Sequence, residues 1–316
     1  MNLKFTAKME PECKDFLKIR DASSDYMTID TFIQRHPDIS EKELNECYIK
    51  YRGKEQTYKE NTEEYCAFSE KMKLIHYTPP IMVVQPFIKP SIYFMQKAIE
   101  CLGFARFFTM KSALLLDTDY NIRWSQGYIP QYLFRCIYFG TASTWYSNAF
   151  DHVLQAVYWG KELYTSVVDR DGNPYDEGWD TKKTLSLCTY EFVVGETKAR
   201  KLLTSCSAKI EEVRKWANYI KHKGGIDYSY LEAENPFKFY VIPTSSISST
   251  SMKNGAQYQP PDEKYEIKDF KSPIKIDIDD KMQELVKAYD AIFECIEKMI
   301  AEMDYDQYAI KIGGNS

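Results

Sequence analysis

The chain has 316 residues, 44% hydrophobic and 28% charged, the balance of a globular protein rather than a disordered or fibrous one. At 37.1 kDa it can bury roughly three quarters of its unfolded surface, so it requires no disulfide or metal scaffold. Its net charge of -5 argues against a uniformly basic surface that coats nucleic acid, and leaves room for a local basic patch.

Residues 1 to 80 are polar and rich in Lys and Glu, and read as a polar helical N-terminal region. Ser40-Glu41-Lys42-Glu43 is a capping-box pattern that predicts a helix running to about Tyr51. A second polar helix is expected from about Glu60 to Met72, and Pro79-Pro80 then marks a module boundary. No continuous apolar run follows the lysines of MNLKFTAKMEPECKDF, and no stretch of eighteen apolar residues occurs, so the reading is cytoplasmic with no membrane partner.

Residues 81 to 316 read as a helical bundle domain with a loop and hairpin inserted at 237 to 278. Ile92, Met95, Ile99, Leu102 and Phe104 suggest its first helix. Phe134, Tyr138, Ala142, Trp145, Ala149, Val153, Ala156, Gly160 and Leu163 then draw one stripe along a helix of about eight turns. Phe139, Tyr146, Phe150 and Tyr158 occupy its other faces, and a helix apolar nearly all round is a central one.

The next stripe, from Ala199 to Ile220, stops at Gly224-Gly225. The last, from Met282 to Met303, is capped by Asp279 or Asp280. Between them, Phe237 to Ile242 and Lys264 to Phe270 suggest a small hairpin around a Ser/Gly/Pro-rich loop at 243 to 263. The fold class is mainly α: a bundle of four to five long helices with a small β-hairpin insertion.

The eight cysteines stand singly, without a C-x-x-C pair, and read as small buried hydrophobes in a reducing compartment. Asp169 to Asp180 spaces oxygen ligands like a calcium loop, but Pro174 stands where glycine is needed, so the segment reads as an exposed turn. No metal ligand set and no cofactor is implied. Phosphate-loop nucleotide hydrolases, G-x-S-x-G hydrolases and H-E-x-x-H zincins lose their support, because none of those motifs occurs.

The sharpest local pattern is Arg214, Asn218 and His222, spaced by four, so that the side chains stand one above another on successive helical turns. A guanidinium there would grip a phosphodiester, the amide would orient a hydroxyl and the imidazole would move a proton. Lys215, Tyr219, Lys221 and Lys223 flank them as candidate nucleic-acid contacts. Residues 196 to 223 carry eight Lys/Arg against three acids, and residues 277 to 306 ten acids against three Lys. The basic segment is either a phosphate-facing surface or the rim partner of the acidic helix. A second Asn-x-x-x-His, at Asn148 and His152, lies in a polar seam with Thr141, Thr144 and Gln155. Such a seam either lines a cleft or fixes packing register inside the bundle.

A helical bundle with Asn and His at this spacing near the end of a long helix resembles the HEPN superfamily, over residues of about 90 to 304 in outline. The family's Arg position falls on Ala217, and Arg214, one turn upstream, would supply the guanidinium. The resemblance implies an RNA-associated protein, either a metal-independent endoribonuclease of defence or toxin systems or a non-catalytic relative. It implies His222 as general acid or base, Arg214 as stabiliser of the phosphorane and Asn218 as the orienting group. The competing expectation is a non-enzymatic helical interaction module that binds a protein partner or a second copy through its aromatic surface and the 243 to 263 loop.

Overall fold

The computed structural model describes residues 19–21, 41–46, 48–51, 54–72, 75–77, 84–115, 128–163, 197–223, 225–229 and 274–309. In the N-terminal region β1 (Ile19–Asp21) pairs antiparallel with β4 (Ile75–Tyr77). Between them lie α1 (Glu41–Glu46), a hairpin of β2 (Tyr48–Tyr51) and β3 (Lys54–Thr57), and α2 (Tyr58–Glu70). The region is therefore mixed α/β, not helical throughout. The first predicted helix ends at Glu46 instead of Tyr51, because Tyr48-Ile49-Lys50-Tyr51 is rich in strand-favouring residues and Gly53 follows as a turn signal. The second predicted helix is present as α2, opened by a capping box in which the Glu60 amide donates to Thr57 Oγ1 at 3.2 Å and the Thr57 amide donates to Glu60 Oε2 at 2.7 Å.

The bundle consists of α3 (Lys89–Ala113), α4 (Tyr128–Gly160), α5 (Lys198–Lys209), α6 (Glu211–Lys223) and α7 (Ile278–Met303). α4 packs against each of the other four, which is what its apolar circumference requires. Its stripe residues Ala142, Ala149, Val153 and Ala156 are fully buried, and so are Phe139, Tyr146, Phe150 and Tyr158 on the remaining faces. α3 lies antiparallel beside it and is fastened by hydroxyl groups. Ser91 Oγ donates to the Ala156 carbonyl at 2.7 Å, Thr109 shares a 2.8 Å hydrogen bond with the Tyr146 hydroxyl, and Ser112 Oγ donates to the Arg135 carbonyl at 3.0 Å. Tyr146 thus packs in the core with its polar handle satisfied.

Three details depart from the sequence reading. The basic helix is two helices, since Ile210, at φ -107° and ψ 8°, ends α5 while its own side chain stays fully buried. Neither Pro nor Gly marks that break. The cap of α7 is Asp277, whose carboxylate accepts from the Asp279 amide at 3.1 Å. Phe104, assigned above to the apolar stripe, is one of the exposed large side chains.

β5 (Asp227–Tyr228) and β6 (Lys275–Ile276) pair in parallel just before α7. The predicted hairpin at 237 to 270, the 243 to 263 loop, the Asp169 to Asp180 turn, Ser40 and Pro79-Pro80 lie outside the described residues. Across the expected boundary the core is continuous. Tyr65 and Met72 belong to the same cluster as the bundle residues, and Arg106 Nε of α3 donates to the Met72 carbonyl at 3.2 Å. Cys66, Cys101, Cys136, Cys206 and Cys295 are buried free thiols, and burial pushes Cys101 up to about 11 and Cys136 up to about 12.

Candidate functional site

The four-residue spacing does what helix geometry demands. Arg214, Asn218 and His222 of α6 line one shallow depression of about 550 Å³, with Lys215, Tyr219, Ser207 and Glu211 around them. Asn218 and His222 are exposed. Arg214 is engaged elsewhere: its Nη2 donates to Asp151 Oδ1 of α4 at 2.9 Å, and its guanidinium carbon lies 5.1 Å from the centre of the Phe150 ring. Burial raises the Asp151 carboxyl above its ordinary value, and Arg214 and Lys221 oppose that rise, so the cation compensates a half-buried anion. A guanidinium so held is oriented by the fold, with part of its charge neutralised before any phosphate arrives.

The second predicted seam meets the first. Asn148 Oδ1 accepts from Lys221 Nζ at 2.9 Å, so α4 and α6 are joined by an amide and an ion pair two turns apart along α6. Close approach of these helices depends on Gly140, where a Cβ would stand 3.1 Å from the Tyr228 hydroxyl and 3.2 Å from Ile220 Cδ1. His152 does not join them. Its ring stacks on Phe94 of α3 at 5.9 Å, on another face of α4, and Thr141 and Thr144 donate to carbonyls of their own helix. The proposed Asn148–His152 pairing is thereby split between two interfaces.

The His152 environment makes a pH prediction. Burial, with Lys97 adding to it and Glu100 opposing, lowers its pKa below the ordinary 6.5. A depressed histidine binds its proton more readily in the unfolded chain, so its contribution is fully present above 6.5 and is lost as pH falls through the folded value. Urea denaturation at pH 7.5 and pH 5 should show His152→Gln losing less stability on acidification than the wild type; an equal loss would refute this.

Part of the basic charge of α5 and α6, at Lys198, Lys209 and Arg214, is answered by neighbours. Lys209 pairs with Glu294 at 3.2 Å, Lys198 with Glu302 at 3.6 Å, and Glu212 with Lys281 at 3.6 Å, all across to α7. These exposed pairs set register and add little stability each. Lys215 remains exposed beside the depression, and the Lys223 side chain lies outside the described residues. The Tyr228 ring packs edge-on against Phe139 at 6.5 Å, which leaves Tyr219 as the described ring at the depression.

Sequence reasoning missed an apolar groove. A groove of about 450 Å³ on α4 is lined by Leu133, Ile137, Thr141 and Trp145 on one side and by Ile220 and Tyr228 on the other. Trp145 extends it to α3 through Phe104, with ring centres 4.9 Å apart. Along this surface Phe104, Phe107, Leu133 and Ile137 are 42% to 52% exposed. The signal was available: Leu133 and Ile137 sit four apart, off the main stripe, as do Phe104 and Phe107 three apart on α3.

Among the described residues no group of three or more His, Cys, Asp or Glu is placed to hold a metal ion, and no helix is long and apolar enough to cross a membrane. No family model, no curated protein and no solved structure matches the chain.

Proposed function

We propose that this protein is a non-enzymatic helical interaction module that receives a partner helix in the groove that α4 forms with Ile220 of α6 and Tyr228 of β5. The observation that carries this reading is the exposure of Leu133 and Ile137 in the groove and of Phe104, which packs on the groove residue Trp145, with Phe107 one turn further along α3. Solitary exposed apolar side chains are ordinary, but a contiguous aromatic and aliphatic surface marks a contact site. At its edge Lys221 of α6 donates to the lining residue Asn148 at 2.9 Å. The partner is therefore an amphipathic helix that presents large apolar anchors.

A second reading keeps the HEPN-like resemblance, with the depression on α6 as a metal-independent ribonuclease site in which His222 moves the proton, Asn218 orients the hydroxyl and Arg214 stabilises the phosphorane. The lining of one depression by all three residues favours it. The Asp151 ion pair weighs against it, because Arg214 would have to leave a half-buried carboxylate to reach a phosphate.

One assay separates the two. Labelled RNA incubated with the protein in EDTA should remain intact with both wild type and His222→Ala; cleavage lost in His222→Ala would transfer the functional site to α6. For the groove itself, a photo-reactive residue at Phe107 should yield a discrete cross-link in cells. Its purified partner should bind the wild type and fail to bind Phe107→Asp/Ile137→Asp, with folded-state stability changed by no more than about 0.5 kcal/mol per site. A dimer dissociated by the same substitutions would identify the occupant as a second copy.

A further inference from the structure

A separate cavity of about 420 Å³ lies where α2, the end of α3, α4 and the first turns of α7 converge. It shares no lining residue with either the α6 depression or the α4 groove. Its volume falls in the range of small-molecule sites. Its lining is mixed: Tyr65, Phe68, Leu115 and Met282 are apolar, and Asn61, Glu64, Arg135 and Asp279 are polar.

Asn61 is the informative residue. It is 4% exposed, lines the cavity, and its amide makes no hydrogen bond among the described residues. A nearly buried amide with no partner in the protein, whose polar atoms open onto a cavity, is placed for a ligand. The amide offers a donor and an acceptor side by side, and the Glu64 carboxylate nearby adds an acceptor. Glu64 is held at the rim by Gln56, whose Nε2 donates to it at 2.7 Å.

The charge selects among ligands. Arg135 is the cation of the cavity, and it donates to Asp279 at 2.7 Å and to the Ser112 carbonyl at 2.7 Å. With Glu64 and Asp279 both lining the cavity, an incoming phosphate or carboxylate would meet more negative than positive charge. A planar, uncharged heterocycle with an adjacent donor and acceptor suits such a lining: its face against apolar side chains, its edge on the Asn61 amide. We infer that this cavity binds a nucleobase or nucleoside, without phosphate, through Asn61.

The test is titration calorimetry of the full chain with adenosine, guanosine, cytidine and uridine, each against its 5′-monophosphate. At least one nucleoside should bind one-to-one at or below about 1 mM, with the monophosphate about tenfold weaker or more. Asn61→Leu should weaken that nucleoside by about tenfold or more. The exposed Glu64→Gln tests the same site without touching the core, and should narrow the gap between nucleoside and monophosphate. Absence of binding by all four nucleosides, equal binding by Asn61→Leu, or a monophosphate that binds as well as its nucleoside would each overturn the inference. Because the site is separate, none of these results bears on the groove or on the α6 depression.

Discussion

Alanine at Gly160 should lower stability by about 2–3 kcal/mol, while alanine at Gly103 should raise it by about 0.5–1 kcal/mol. The opposite signs follow from what a Cβ meets. At Gly103, on α3, nothing lies within 4 Å, so alanine removes only the conformational entropy that glycine loses in a helix. At Gly160, the last residue of α4, the Cβ would lie 1.8 Å from Met303 Cε and 2.6 Å from Ser91 Oγ. The methionine end can swing aside. Ser91 cannot do so freely, because its hydroxyl donates to the Ala156 carbonyl and shares a 2.9 Å hydrogen bond with the buried Tyr305 hydroxyl. Displacing it strands the tyrosine, so the loss combines overpacking with an unmade hydrogen bond. Ser91→Ala in the Gly160→Ala background should therefore lose less than the sum of the single changes, read from urea midpoints at constant slope. Strict additivity would show that the serine is not the obstacle.

Removing Asp279 is the other large effect. The Arg135 side chain is 5% exposed and Asp279 26%, and their 2.7 Å contact fastens α4 to the first turn of α7. Asp279→Ala takes this carboxylate away from a guanidinium in the interior, and should cost about 3 kcal/mol, near the lower end for a broken buried pair since one partner is partly hydrated. Arg135→Met should cost less, because the carboxylate left behind can take up water and the methionine refills the volume. The double variant should lie closer to Arg135→Met than to Asp279→Ala. If Asp279→Ala falls within about 0.5 kcal/mol of wild type in equilibrium denaturation, the pair is not a fastening.

The long helices were legible because their period is written in apolar residues. Phe139, Tyr146 and Phe150 off the main stripe identified α4 as central, and they are buried on every side. The turn at Ile210 was not legible, since no Pro or Gly marks it and the apolar period runs through it. Tyr48 to Tyr51 was misread because its lysine and flanking acids suit a polar helix as well as an edge strand. At the site, the spacing of Arg214, Asn218 and His222 correctly placed them along one depression. What that spacing could not reveal is the partner of Arg214, a carboxylate 63 residues away in sequence, or that Asn148 and His152 would face different helices. Local periodicity fixes which side chains share a face; tertiary packing decides what each one meets.

The buried thiols carry a consequence for measurement. Cys206 of α5 donates to the Ala291 carbonyl of α7 at 3.5 Å and neighbours Cys295, and burial together with that neighbour holds its proton firmly. Protonated and out of reach, such a sulfur reacts with an alkylating reagent only when its helix detaches. Labelling rates at Cys206 against those at Cys136, in the central α4, would thus report how often α5 lifts from α7 relative to opening of the whole bundle. The cysteines are a set of clocks already installed in the native chain, each timing the opening of the element that carries it.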